Sequence, residues 1–176
     1  MKAMNFRTIL CGLTLSAAAF TQQPATANPL VAGSQTIYSG TKANILKSAD
    51  KVSEDLWSWC PTPDVRSFGE LFAHIADGQY EFCSPVNEGK AVDKQIEKTK
   101  KSKAEVVAAL KEGFAYCDAA YAKITPANAA EMIPFFGKTM ARISIMDFNA
   151  GHNMEHYGNL VTYLRLNKMV PPSSQK

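Results

Sequence analysis

Apolar residues recur every three or four positions in four long stretches of the sequence, and this spacing sets the strongest limit on the fold. No stretch shows clear alternation of apolar and polar residues, which is the pattern of a half-buried β-strand. The first helical stretch covers residues 34–59, and Pro61 and Pro63 follow it. Amphipathic helices bury their apolar stripes by packing against one another, so the pattern predicts an all-α protein.

Capping residues and prolines delimit three further helices. Residues 67–70 (SFGE) and 102–105 (SKAE) are capping boxes, in which the serine and glutamate satisfy free amides at a helix start. The second helix is predicted to end before Pro85. Residues 125–138 contain two prolines and a glycine, and they are predicted to form an irregular connection. Thr139 is then predicted to cap a last helix that reaches about residue 167.

Four amphipathic helices predict a four-helix bundle. The second and third are joined by about 18 polar, lysine-rich residues, which extend to roughly 60 Å, whereas a 17-residue helix is about 25 Å long. These two helices can therefore run parallel, which gives up-down-down-up order. In that order Cys83 and Cys117 lie at one pole and Cys60 at the other, which predicts a Cys83–Cys117 disulfide. Three separate buried thiols are the alternative.

Residues 1–27 have the three parts of a secretory signal sequence. The first seven residues carry two basic side chains and no acid, and residues 8–20 form a run of 13 mostly apolar residues. Alanines at positions 25 and 27 supply the small residues that signal peptidase requires. Cleavage after Ala27 would release one domain, residues 28–176, into the periplasm or the medium.

Two forms of membrane attachment compete with this interpretation. The apolar run of 13 residues is shorter than the ~20 residues that span a bilayer, so no stable membrane anchor is expected. Cys11 raises the alternative of a lipoprotein signal, but Leu10 precedes it where a small residue would be expected. Export of a free protein is therefore predicted.

The charge of the chain excludes one class of partner. Without residues 1–27, 17 of the 19 basic residues remain to face 16 acidic ones, so the domain is nearly neutral. A nearly neutral domain lacks the electrostatic footprint of a nucleic-acid-binding protein. The lysine-rich run at residues 94–103 is interpreted as a solvated loop that leads into a helix.

Two of the three histidines, His152 and His156, lie four positions apart on the predicted last helix. Residues i and i+4 are stacked neighbours on a helix, so both imidazoles can reach one cation. His74 lies on the second helix near its inward stripe, and bundles build metal sites from facing helices. The sequence thus predicts that all three histidines bind one metal ion. The alternatives are a pair of polar residues on a half-exposed face and a hydrogen-bonded core histidine.

Other polar side chains accompany the histidines. Residues 152–156 (HNMEH) match the H-x-x-E-H motif of inverted zinc proteases, in which the glutamate is a general base. Those enzymes take a third ligand from an acid far downstream, and no acid follows His156 here. Glu155 remains a candidate catalytic base, or a solvated surface acid. Asp77 and Glu81 are candidates to orient a ligand imidazole, or ordinary rim charges. Three residues are candidates for substrate contacts: Asn149, Asn153 and Tyr157.

Taken together, these motifs resemble the DinB/YfiT-like family of metalloenzymes. The resemblance covers essentially the whole of residues 28–176. It implies a four-helix bundle of up-down-down-up order, in which His74, His152 and His156 stand where the family holds a divalent metal, often nickel or zinc. The matching segments are Pro61 with residues 66–76 (RSFGELFAHIA), His152-x-x-x-His156-x-Gly158-Asn159, and Pro171-Pro172.

The resemblance also implies a range of activities. Characterised relatives include thiol transferases that use bacillithiol or mycothiol, and a maleylpyruvate isomerase. The chain departs from the family in two ways. Relatives commonly carry His in place of Glu155 and Gln in place of Asn159. The known thiol cosubstrates are cytoplasmic, whereas this chain is predicted to be exported. Relatives are also often dimers, which implies a homodimer.

Two functions follow as hypotheses. The first is an exported, metal-dependent enzyme of the DinB type, with transferase- or hydrolase-type chemistry on a small substrate that the sequence leaves unidentified. Three neutral imidazoles leave a coordination position open, as in catalytic sites, and suit zinc, nickel, iron or copper. Magnesium and calcium prefer all-oxygen sites. The second is a non-catalytic periplasmic protein that binds a metal or a small ligand.

Overall fold

The structure, a computed structural model, describes residues 28–175, which form five α-helices and one β-hairpin. The predicted signal sequence, residues 1–27, lies outside the described residues. The helices are α1 (Pro29–Lys51), α2 (Phe68–Glu88), α3 (Ile96–Thr99), α4 (Lys103–Lys123) and α5 (Arg142–Leu166). The hairpin pairs β1 (Met132–Phe135) with β2 (Lys138–Ala141) in antiparallel order.

The four long helices form the predicted bundle, in up-down-down-up order. A disulfide joins Cys83 and Cys117 near the C-terminal ends of α2 and α4, so these two helices run parallel. The start of α4 lies beside the end of α1, where Lys103 Nζ donates to the Val52 carbonyl oxygen at 2.6 Å. Helix α5 runs antiparallel to α2, because Phe148 near its start packs against Phe82 near the end of α2. The bundle order and the disulfide are both confirmed, and Cys60 is free.

Both predicted capping boxes are confirmed. Ser67 Oγ accepts from the Glu70 amide at 3.3 Å, and the Glu70 carboxylate accepts from the Ser67 amide at 2.9 Å. Ser102 and Glu105 make the same two contacts at the start of α4. These reciprocal bonds satisfy amides that a helix start leaves without partners. They fix where α2 begins, and hence which of its residues face the bundle.

The predicted bounds of the first and last helices were wrong. Helix α1 begins earlier, at Pro29, because the Asn28 side chain accepts from the Leu30 amide at 3.0 Å and proline suits a first turn. It ends at Lys51, and the remainder of the predicted stretch forms only a short 3₁₀ turn at Glu54–Leu56. The last helix begins at Arg142, since Thr139 lies in β2 and does not act as a cap.

Helix α2 was also expected to end before Pro85, but it continues to Glu88. Proline removes one backbone hydrogen bond from a helix and crowds the preceding turn. Here Pro85 and Val86 are both buried, and their burial offsets that cost. Helix α2 ends instead at Gly89, whose φ of 76° is a left-handed cap that favours glycine.

The connection at residues 125–138 was predicted to be irregular and instead contains β1 and the hairpin turn. Phe136 and Gly137 have φ values of 46° and 73°, the positive values of a type I′ hairpin turn. Ile133 and Phe135 are buried while Met132 is exposed. All four residues of β1 are apolar, so this strand shows no alternation of apolar and polar residues in the sequence. Among the described residues, no helix is long and apolar enough to cross a bilayer.

Candidate metal centre

The three imidazoles converge in the middle of the bundle. His152 Nε2 lies 3.2 Å from His74 Nε2 and 3.0 Å from His156 Nε2. All three ligand atoms lie within 4.8 Å of one another. Nitrogen ligands at 2.0–2.1 Å from one ion are about 2.9 Å apart at octahedral angles and about 3.4 Å apart at tetrahedral angles. The two short distances fall within this range, so the three histidines can hold one metal ion. Which ion they hold, and whether they do, stays a prediction.

The helices that carry the histidines set this geometry. His74 lies on the second turn of α2, which the capping box at Ser67 starts. His152 and His156 lie one turn apart on α5, which crosses α2 at this level. Gly78 lies one turn after His74, and a Cβ atom there would come within 2.8 Å of the His152 ring. The absence of a side chain at position 78 therefore lets α5 bring His152 against α2.

The surroundings favour neutral imidazoles. Burial, and then the charges of His156 and His74, lower the pKa of His152 to about 3. Burial and the charge of His74 lower the pKa of His156 to about 4. Burial and the Arg66 charge lower the pKa of His74, although Glu97 opposes them. The site is thus unfavourable for protons and leaves nitrogen lone pairs free at neutral pH, as metal ligation requires.

Two of the three rings have a partner for their second nitrogen. His74 Nδ1 lies 3.2 Å from Glu97 Oε2. His156 Nδ1 lies 3.5 Å from Asn159 Nδ2, and His152 Nδ1 is buried without a hydrogen-bond partner among the described residues. When it is ionised, a carboxylate can only accept a hydrogen bond, so Glu97 favours the His74 tautomer that has its proton on Nδ1 and its lone pair on Nε2.

Sequence reasoning missed Glu97. It lies in the lysine-rich run that was interpreted as a solvated loop, but that run contains α3. Glu97 accepts from Arg66 Nε at 2.7 Å and contacts His74. The only signal in the sequence was Ile96, a lone apolar residue in a polar run, which is buried in the structure.

Asp77 and Glu81 were candidates to orient a ligand imidazole or to be ordinary rim charges, and the structure places them in different surroundings. The Asp77 carboxylate accepts from the backbone amides of Ile96 and Glu97, each at 2.8 Å. Its connection to His74 therefore runs through Glu97. Glu81 makes no hydrogen bond to the histidines in the part of the chain that the structure describes, and it lines a separate cavity of about 230 Å³ beside the hairpin.

Two of the predicted substrate contacts were wrong because their side chains lie inside the bundle. Asn149 and Asn153 are fully buried and bond to Gln79, with Gln79 Nε2 donating to Asn153 Oδ1 at 2.7 Å. This network satisfies polar groups in the core. Tyr157 also points away from the histidines, since its hydroxyl bonds to Ser173.

A cleft of about 550 Å³ opens beside His156. It is the place at which a small molecule can approach the histidines from solvent. Glu155 is exposed and lines the cleft, which fits a side chain that meets substrate. On the other side of the site, Phe82 packs edge-on against His152, with 4.9 Å between the ring centroids. Phe82 also packs against Phe135, Phe136 and Phe148, and these four rings form an aromatic wall. The other polar or charged residues of the cleft are Asp64, Arg66, Glu70, Glu97, Asn159 and Tyr163.

Fold and site together define a four-helix bundle with a histidine triad between its second and last long helices. A sequence model of the DinB superfamily matches residues 37–160, and the chain belongs to that superfamily. The fold is similar to that of a DinB-like protein from Bacillus subtilis, with a TM-score of 0.66, 21% identity, and coverage of 85% of this chain and 99% of that one. It is also similar to a DinB-like protein from Bacillus cereus, with a TM-score of 0.67, 15% identity, and coverage of 80% and 95%. No curated protein matches the sequence.

Proposed function

We propose that this protein is an exported metalloenzyme in which His74, His152 and His156 hold one divalent transition metal beside the substrate cleft. The reaction is of the transferase or hydrolase type, on a small substrate. The observation that carries the proposal is the approach of His152 Nε2 to the other two Nε2 atoms, at 3.2 and 3.0 Å. Three ring nitrogens so close together, with no carboxylate among them, suit zinc or nickel, and iron also fits.

The surrounding residues supply binding and proton transfer. A divalent ion held by three histidines supplies a Lewis acid to the reaction. We assign Glu155, which lines the same cleft as His156, as the base that takes a proton from an attacking water or thiol. Phe82 packs edge-on against the His152 ring and covers that side of the site. The polar cleft therefore gives the substrate its approach on the His156 side.

The disulfide supports export. Disulfides form in oxidising compartments such as the periplasm and are rare in the cytosol. Cys83 and Cys117 are both fully buried, and the bond connects two helices of the core. This agrees with the secretory signal that the sequence predicts at residues 1–27.

A non-catalytic metal carrier is the second candidate. It is favoured by one observation: Glu155, the candidate base, is exposed, and no hydrogen bond holds its carboxylate in place among the described residues. A carrier needs the same three ligands but no base. A measurement of turnover is therefore needed to distinguish the enzyme from the carrier.

The first experiment measures metal content. The chain purified without a tag is expected to bind one equivalent of Zn²⁺ or Ni²⁺, measured by elemental analysis and by competition with a chromogenic chelator. His152→Ala is expected to abolish that binding while the helical circular dichroism is retained, since the core is built from other residues. The matched control is Met154→Ala, an exposed position on the same helix, which should bind metal normally. Full metal content in His152→Ala would refute the site.

The second experiment separates enzyme from carrier. The metal-loaded protein is assayed with a chromogenic ester, and with a small thiol plus an aryl halide. An enzyme turns over one of these, and Glu155→Gln lowers kcat by about 10²-fold or more while metal content stays the same, because a general base contributes about 10²–10⁴-fold. Tight metal capture without turnover of any electrophile supports the carrier.

A further inference from the structure

We infer that the crossover between α2 and α4 is part of the metal site, in which Glu97 is a positioning residue that orients His74 towards the ion. The inference rests on the proposed function, because it assigns a role to the segment that supports one of the three ligands. It extends the site beyond the histidines to the segment that sequence reasoning took for a solvated loop.

The contact between Glu97 and His74 has the geometry that this role needs. Glu97 Oε2 lies 3.2 Å from His74 Nδ1, while His74 Nε2 lies 3.2 Å from His152 Nε2. A carboxylate that accepts the Nδ1 proton fixes the tautomer and leaves the Nε2 lone pair directed at the other ligands. It also makes the imidazole a stronger base towards a cation.

Glu97 is itself held from two sides. Arg66 donates to its carboxylate from Nε at 2.7 Å and from Nη2 at 3.4 Å. Asp77 accepts from the Glu97 amide, so the backbone is fixed as well as the side chain.

The crossover forms a short helix, α3, around Glu97. Helix α3 has four residues, and Gln95 before it takes a left-handed φ of 52°. Ile96 is 3% exposed and anchors the segment against α2, while the Asp77 carboxylate binds both of the first two amides of α3. A solvated loop needs none of these features. Together they hold Glu97 in one place relative to His74.

The coupling has to be reciprocal. If Glu97 strengthens the grip of His74 on an ion, then the bound ion strengthens the contact of Glu97 with His74 by the same free energy. Metal binding should therefore slow the local opening of residues 93–101, which contain α3 and its flanks. The rate of hydrogen exchange in the crossover should then depend on whether the metal is bound, although the crossover donates no ligand.

The first test compares the affinity of variants for Zn²⁺ alone, by chelator competition. Glu97→Ala is expected to weaken binding about 10- to 100-fold, the usual effect of losing such a partner. Glu97→Gln should lose less, because its amide oxygen can still accept from His74. The matched control is Glu131→Ala, which breaks a similar carboxylate–arginine pair, Glu131 with Arg142 Nε at 2.8 Å, at a place remote from the histidines. It should bind zinc as the wild type does.

The second test needs no metal and distinguishes positioning from general stability. In ¹⁵N-labelled, metal-free protein, the His74 Nδ1 proton should give a resonance protected from exchange, assigned by its loss in His74→Asn. It should vanish in Glu97→Ala and persist in Glu97→Gln and Glu131→Ala. Hydrogen exchange by mass spectrometry should then show that Zn²⁺ protects residues 93–101 in the wild type but not in Glu97→Ala.

The outcomes separate this inference from the proposed function. A wild type that binds no metal would refute both. Normal zinc affinity in Glu97→Ala, or a wild type without a protected His74 Nδ1 proton, would overturn the inference and leave the histidine site standing.

Discussion

Gly78 lies on α2 where His152 of α5 packs against it. A Cβ atom there would lie 2.8 Å from His152 Cε1 and 3.1 Å from His152 Nδ1, both too short for ordinary contact. The ring cannot keep its present position beside a methyl group. A glycine in the interior of a helix costs about 1 kcal/mol relative to alanine. Gly78 therefore lowers the stability of α2 but leaves room for the His152 ring.

Gly78→Ala is therefore expected to separate stability from metal binding. The substitution removes the cost of a helical glycine but displaces His152, so zinc affinity should fall about tenfold or more, as when a ligand loses its supporting contacts. Gly151→Ala is the control, because it lies in α5 with nothing within 4 Å of the new Cβ and should gain stability without losing affinity. Urea unfolding and chelator competition measure the two effects. Unchanged affinity in Gly78→Ala would mean that the ring has room to move.

The elements show which parts of this fold a sequence can predict. Capping boxes and apolar stripes predict α2 and α4, because the signals for these helices are local. Helix α3 has four residues, too few to show the period of a helix, and β1 has no polar residue to alternate with its apolar ones. Glu97 escaped prediction for a second reason, because its role depends on contacts with residues far away in the sequence: His74 lies 23 positions from it and Asp77 lies 20. The spacing of His152 and His156 predicted that their rings would be neighbours, and the place of His74 near the inward stripe of the second helix predicted that its ring would meet them.

The parallel pair α2 and α4 depends on its disulfide. Cys83 and Cys117 are 34 positions apart, and closing a loop of that size in the unfolded chain is worth roughly 3–4 kcal/mol by chain entropy. Cys83→Ala with Cys117→Ala is expected to lower the free energy of unfolding by about this amount, measured in urea without reductant. Cys60→Ala should have a smaller effect because Cys60 is free and only half-buried. An unchanged midpoint in the double variant would show that packing alone holds the two helices.

At the scale of the whole molecule, three histidines with lowered pKa values link stability to pH. The folded protein keeps His152 and His156 neutral well below the ordinary pKa of about 6.5, and the pKa of His74 is also lowered, whereas the unfolded chain protonates all three as the pH falls through that value. The unfolded state then binds more protons, so the folded state loses stability on acidification. Above about pH 7.5 both states are neutral at these positions, and the effect disappears. Glu81 acts in the opposite direction, because burial and the charges of Asp93 and Asp77 raise its pKa.

Metal-free protein should therefore have a lower free energy of unfolding at about pH 5 than at about pH 7.5, measured by urea denaturation in the presence of a chelator. His152→Ala removes the histidine whose pKa is lowered to about 3, so the difference between the two pH values should shrink. Comparing the two proteins cancels the contribution of Glu81 and of the other carboxylates. Saturating Zn²⁺ should enlarge the difference in the wild type, because protons compete with the ion for the same nitrogens. A wild type with equal stability at both pH values would mean that the imidazoles are not held neutral, and a zinc effect that persists in His152→Ala would place the ion elsewhere.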